Sequence, residues 1–357
     1  MNFILKTLLI LILFFSSFYR AQKSIPGIEI KYKYGFLIAH RPIMSHLPKD
    51  HTQAFEVNIV YQTMGNKKWH SAYSYPTYGF SFLTTSVGNN KILGQYFGSY
   101  AFLQFPFLRW KKNNFNGKIG CGLGYNPKVY DKITNPKNNA ISTHFNALIN
   151  FGLYYNKYFK KSSLQFGIDM SHFSNGSVKL PNLGLNLPYI SISYSKYFDE
   201  LKQNELSKTK TKLQQPWTYF VTLITSFKDY YPVGQKRSQI FALQFVTQKC
   251  FRLGLGYEAG VDLLYKPTVK KYKPVIEKSD ESIVQTGFYQ GYVITLEKLQ
   301  MVIGMGIYLK DEYFPENRLY HRIGLRYTIK QKFLLNLTLK SHWAKADYLE
   351  YGLGYVF

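Results

Sequence analysis

Acidic residues and cysteine are both scarce in this chain of 357 residues. Asp and Glu number 20 against 45 Lys and Arg, which leaves a formal net charge of +25. Two cysteines, Cys121 and Cys250, are too few for a disulfide framework and have no metal-ligand spacing. Cys121 shares parity with Ile119 and Leu123 and is expected to face outward as a small apolar group, while Cys250 is placed at a tight turn, so no bridge between them is expected. After residue 15 no apolar run reaches the roughly 20 residues that a membrane-spanning helix takes. Nor does a helical period of useful length follow.

What is present begins with an export signal at residues 1–21. Lys6 precedes the apolar stretch Leu8–Phe15, and Ser16, Ser17 and Ala21 supply small residues near a cut. Tyr19 and Arg20 make the cut site imperfect, and a retained anchor helix is the competing reading. Removal of the signal takes Lys6 and Arg20 and no acid, lowering the charge from +25 to +23. On an exported chain that charge points away from nucleic acid and toward phosphate-bearing outer-leaflet lipid. Generally solvated lysines are the bland alternative.

Aromatic residues make up 18% of the chain, with 32 Tyr and 28 Phe, at a mean hydropathy of −0.21. That combination suits strands that are greasy on one side and polar on the other. Alternating segments predict strands near 28–40, 52–63, 77–86, 93–107, 116–127, 143–158, 163–174 and 184–198. A second set falls near 216–227, 238–248, 251–264, 286–296, 299–310, 318–330, 333–343 and 348–357. In the segment 299–309, Met301, Ile303, Met305 and Ile307 alternate with Gln300, Val302, Gly304 and Gly306. A barrel with a lipid-facing wall and a small lumen requires that pattern.

Connector lengths point the same way. Joins such as Glu297-Lys298 are very short, whereas those after the fifth, seventh and eleventh segments are long, as expected of alternating periplasmic turns and external loops. The expected fold is all-β: a transmembrane antiparallel β-barrel of the outer membrane with about 14–16 strands, and 12 at the lower bound. It is read as a single barrel over 22–357, made of 28–198, a charged connector 199–215 and additional strands over 216–357. The connector breaks the short-turn rule and would also serve as a linker between two smaller units. A secreted soluble β-protein is the competing class. Tyr351, Leu353, Tyr355 and Phe357 alternate to an aromatic terminus of the kind that the barrel assembly machinery reads.

The segment with most chemistry runs Leu-Gln-Phe-Gly-Ile-Asp-Met-Ser-His-Phe-Ser-Asn-Gly from Leu164 to Gly176. Leu164, Phe166, Ile168 and Met170 share parity with His172 and Ser174, so a base and a hydroxyl finish the lipid-facing row. Serine needs an adjacent base to act as a nucleophile, and an oxyanion needs donors already in place. Asn175 and the N–H of Gly176 are the nearest candidates. Against this, His, Ser and Asn also favour strand ends for turn chemistry. Polar groups at membrane depth, however, usually mark function. His40, His46, His51 and His70 have no metal spacing and read as loop or girdle residues, and the run Ser341–Asp347 with Trp343 reads as an interface belt.

His172-Phe173-Ser174-Asn175-Gly176, then Pro181-Asn182-Leu183-Gly184-Leu185-Asn186 and a strand ending in Tyr197-Phe198, resemble the lipid A 3-O-deacylases. These are outer-membrane barrel esterases that remove an acyl chain from lipopolysaccharide. The resemblance covers roughly 28–198. It implies that His172 is the base, Ser174 the nucleophile and Asn175 part of the oxyanion hole with Gly176. That family has a Glu where Asn186 stands, and the Glu orients the histidine. An asparagine carbonyl can fix the imidazole tautomer but cannot stabilise imidazolium with a full charge. The expectation is therefore a cofactor-free ester hydrolase of the Gram-negative outer membrane, without metal or nucleic acid, acting on lipid A. A non-enzymatic barrel, either a diffusion channel or a structural lipid binder, is the alternative. It would have no use for His172 and Ser174 on its exterior.

Overall fold

The computed structural model describes residues 24–201, 216–229, 232–234, 237–252, 254–266, 284–311, 318–343 and 345–357. Residues 1–21, expected to be an export signal, and most of the 199–215 stretch lie outside the described residues. The first eight strands are β1 (Ile25–Gly35), β2 (Thr52–Gln62), β3 (Thr77–Ser86), β4 (Gln95–Trp110), β5 (Asn113–Tyr125), β6 (Phe145–Tyr158), β7 (Ser162–Ser174) and β8 (Leu185–Tyr197). They are followed by β9 (Thr218–Lys228), β10 (Ser238–Arg252), β11 (Leu255–Tyr265), β12 (Val284–Leu296), β13 (Leu299–Lys310), β14 (Leu319–Ile329), β15 (Phe333–His342) and β16 (Lys345–Val356).

Every alternating segment forms a strand, and all neighbours pair antiparallel. The single cylinder is corrected: β1–β8 close into one barrel and β9–β16 into another. Gly27–Gly35 of β1 pair with Tyr189–Tyr197 of β8, and Tyr351–Val356 of β16 pair with Phe220–Thr225 of β9. Once β2 and β8 flank β1, neither edge of that strand is left for β9. Eight strands enclose an interior just wide enough for side chains to fill, so closure at eight satisfies the backbone without a wide pore. The charged connector read over 199–215 falls between the two units, and its residues 202–215 lie outside the described residues.

Parity sorts the residues as the pleat demands. Ile30, Phe55, Leu153, Ile168 and Ile190 are exposed on the first wall, and Leu223, Phe245, Leu337 and Leu353 on the second. Aromatic clusters stand near both ends of the first barrel: Trp110 with Phe115 and Tyr155 at one, Tyr125 with Phe145 and Tyr34 with His51 at the other. Cys121 is exposed on the outer face as expected. Cys250 is not at a turn but buried near the end of β10, because pairing with β11 extends that strand to Arg252; both thiols are free.

Charge fills both lumens. In the first, Lys33 Nζ lies 2.6 Å from Asp169 Oδ1 and 2.5 Å from Glu56 Oε1, and Tyr100 donates to Glu56 at 2.7 Å. Lys31 stands 3.5 Å from Glu29 and 4.2 Å from the centre of the Tyr154 ring. In the second, Arg322 grips Glu350 through Nε at 2.6 Å and Nη2 at 2.8 Å, and reaches Asp262 at 3.1 Å. Arg326 meets Glu258 at 2.6 Å.

The end of each barrel at which odd-numbered strands finish is called the distal rim. Contacts between the barrels occur at both rims. At the proximal rim Lys67 pairs with Glu297 at 2.9 Å, and Tyr73 donates to the carbonyls of Thr295, at 3.0 Å, and of Gly254. At the distal rim the residues after β7 meet those after β9 and at the start of β16. The two barrels therefore stand side by side with like ends together.

Two outcomes follow from the packed lumens. Full-length protein reconstituted in planar bilayers should give no conductance steps, and stable openings would contradict a filled interior. Arg322→Ala strands two buried carboxylates and should cost about 3–5 kcal/mol, read as a lower denaturant midpoint in detergent; a loss below about 1 kcal/mol would refute the pairing.

Candidate active site

β7 and β8 lie side by side in a register that sets His172 directly opposite Asn186. Both project from the outer wall, in line with Phe166 and Ile168 on β7 and with Ile190 and Ile192 on β8. Asp169, of opposite parity, points into the lumen toward Lys33, as expected. His172 Nε2 lies 3.0 Å from Ser174 Oγ, and His172 Nδ1 lies 2.7 Å from Asn186 Oδ1. A hydroxyl, an imidazole and an amide carbonyl thus form one line at the distal rim. His172 and Asn186 are half-buried, and Ser174 is 8% exposed. Residues two apart on a strand share a face, which lets these two side chains come within hydrogen-bond distance.

Two glycines make the tight fit feasible. Gly184 has φ +78°, and a Cβ there would lie 3.0 Å from His172 Cε1 and 3.5 Å from Ser174 Cβ. Gly176 has φ +63°, and its Cβ would fall 2.7 Å from Leu349 Cγ of the second barrel. Both backbones sit in the left-handed region that glycine alone enters without strain.

Asn175 is placed differently from the expectation. Its side-chain amide donates to Lys179 O at 2.8 Å and Ser142 Oγ at 3.2 Å, and its backbone N–H donates to Asn182 Oδ1 at 3.0 Å. Its donors are spent on winding the loop between β7 and β8, so it shapes that loop rather than offering a donor outward. The N–H of Gly176 has no acceptor among the described residues. Asn182 and Ser142 support the loop without having been singled out by spacing; Asn182 at least lies in the Pro181–Asn186 stretch that carries the family resemblance. Lys179 contributes its carbonyl to this loop.

His40, read from the sequence as a loop or girdle residue, lies against Asn186. Beyond β1 the chain continues along β8, with the Ile38 N–H donating to Asn186 O at 3.0 Å. This carries His40 to Asn186: Asn186 Nδ2 lies 3.2 Å from His40 Nδ1, and His40 Nε2 lies 3.1 Å from Leu183 O. Nothing in the local sequence separates it from His46, which meets Lys137 O, or from His51, which stacks on Tyr34. Among the described residues no three His, Cys, Asp or Glu side chains group as metal ligands.

The distal-rim contacts fall on this same loop. Asp229 accepts the Leu180 N–H at 2.9 Å through Oδ2 and donates its own N–H to Ser177 O at 3.1 Å, and Ser177 Oγ donates to Ala346 O at 3.0 Å.

Comparison with known families fits both barrels. Residues 53–195 match the lipid A 3-O-deacylase model, and residues 217–357 match the acyloxyacyl hydrolase C-terminal domain. The chain belongs to the lipid A 3-O-deacylase family. Membership implies an outer-membrane hydrolase acting on an ester of lipid A, and it spans the second barrel, which the motif resemblance did not reach. No curated protein matches the chain. Among solved structures, a triple mutant of the Rhodopseudomonas blastica porin aligns at 8% identity over 93% of this chain and 99% of that chain, with a TM-score of 0.17. A structure titled for the asymmetric conductivity of engineered proteins aligns at 8% identity over 94% and 100%, also at 0.17. The two-barrel fold rests on its own strand pairing.

Asp229→Ala would leave the Leu180 N–H without its acceptor, a loss of about 1–3 kcal/mol to the loop. Limited proteolysis should then cut within 175–184 faster than in wild type, with Asp229→Asn intermediate. Equal cutting rates would show that the second barrel does not support the loop.

Proposed function

We infer that the protein removes the 3-O-linked acyl chain of lipid A by nucleophilic catalysis, in the outer membrane of a Gram-negative bacterium. The observation that carries this reading is the Ser174–His172–Asn186 line, with steps of 3.0 and 2.7 Å, on the lipid-facing wall at a barrel rim. With β1 entering from the periplasm, the distal rim lies at the depth of the outer-leaflet ester linkages.

Ser174 Oγ attacks the ester carbonyl carbon while its proton passes to His172 Nε2. The carbonyl oxygen becomes an oxyanion, for which the Gly176 N–H is the available donor. Collapse breaks the bond to the sugar oxygen, and His172 returns the proton to that oxygen. Water, deprotonated by His172, then releases the acyl group from Ser174 as a fatty acid. Asn186 Oδ1 holds the imidazole through Nδ1–H, without the charge of a carboxylate. The scheme calls on no cofactor. A diffusion channel, the competing class, needs an open lumen, and both lumens here are packed with paired charge.

Mass spectrometry of lipid A from cells that make the wild-type protein should show loss of one acyl chain. Ser174→Ala should leave lipid A intact, a fall of at least about a thousandfold in rate. Identical acylation in both strains, with the protein folded in the outer membrane, would end the enzyme reading. Asn186→Glu should raise the rate by about tenfold, because a carboxylate also stabilises the imidazolium.

A further inference from the structure

We propose that His40 is a positioning residue that fixes the amide orientation of Asn186 and, through it, the tautomer of His172. The inference rests on Ser174 and His172 being the reacting pair, and it explains how an asparagine can serve where a carboxylate would need no help.

The polarity of the whole line follows from one backbone carbonyl. Leu183 O can only accept, so His40 Nε2, 3.1 Å away, must carry the proton. Neutral His40 then has a bare Nδ1, which accepts from Asn186 Nδ2 at 3.2 Å. The amide nitrogen being held there, Oδ1 faces His172 Nδ1 at 2.7 Å and accepts its proton. His172 Nε2 is left bare toward Ser174 Oγ at 3.0 Å, in the form that can take the hydroxyl proton.

Without His40 this order is lost. An asparagine side chain is nearly symmetric in shape, so its two ends exchange at no steric cost. The flipped amide would present NH2 to His172 Nδ1, demand a lone pair there and drive the proton to Nε2, against the serine hydroxyl. A carboxylate has no such failure, because both of its oxygens accept. The anchor is also firmly built. The Leu183 N–H bonds to Asn139 O at 3.4 Å and the Gly184 N–H to Ala140 O at 3.0 Å, so the Leu183 carbonyl is held on both sides.

The test is a double-mutant cycle on the full-length protein in mixed micelles with purified 3-O-acylated lipid A. His40→Ala should lower kcat by about ten- to a hundredfold with KM within about twofold, since only the tautomer population changes. His40→Gln, which accepts and donates through its own amide, should recover most of that loss. In an Asn186→Glu background, His40→Ala should change kcat by less than about twofold. An equal loss in both backgrounds would overturn the proposal and make His40 a merely structural residue. Nitrogen-15 imidazole shifts of His172 provide a readout that needs no turnover: the Nδ1–H form in wild type should become a mixture in His40→Ala. An unchanged tautomer in that folded variant would refute the role even if Ser174 proved not to be a nucleophile. Conversely, a shifted tautomer with no deacylation in wild type would fault only the functional reading.

Discussion

A strand in hydrocarbon has no water to satisfy an open edge, and the rest of this structure depends on how that demand is met. Pairing of β8 with β1, and of β16 with β9, leaves neither sheet with a free edge. Closure at eight strands makes each lumen narrow, so inward residues must pack against one another. It also commits every second residue to lipid. His172, Ser174 and Asn186 stand on that outward face because of parity alone, and their neighbours are apolar for the same reason.

A narrow, dry lumen tolerates charge only when it is paired. Glu29, Glu56 and Asp169 stand against Lys31, Lys33 and Lys118 in the first barrel; Glu258, Asp262 and Glu350 are held by Arg322 and Arg326 in the second, where Lys340 lies over the Tyr320 ring. Acid and base are nearly matched among the buried charged residues, so most of the surplus of basic residues lies outside the lumens.

Much of this was legible before any coordinates. Alternation located all sixteen strands because a two-sided wall leaves the same trace in each one. The same uniformity hid the closure: nothing in the pattern of β8 says whether it turns back to β1 or continues to β9. Parity likewise placed His172, Ser174 and Asn186 on one face, since pleat direction is a local property. The partners of Asn175 and His40 were not legible, for a common reason. Both make hydrogen bonds in loops, to Lys179 O and Ser142 for one and to Leu183 O and Asn186 for the other, and loop contacts leave no period in a sequence. The second barrel carries no motif of the reaction, and its link to the site lies in Asp229, Ala346 and Leu349 at the rim.

On the proposed mechanism, the outward placing of the Ser174 hydroxyl also determines where the reaction is fed from. A membrane lipid arriving at Ser174 stays in its leaflet, so no acyl chain has to be pulled into water before the bond is cut. The fatty acid can diffuse away along the same plane. Turnover is then governed by surface density and sideways motion, and an aqueous concentration of substrate has no meaning for it. The neighbouring barrel touches this edge through Asp229 and Leu349, and so bounds the approach on one flank.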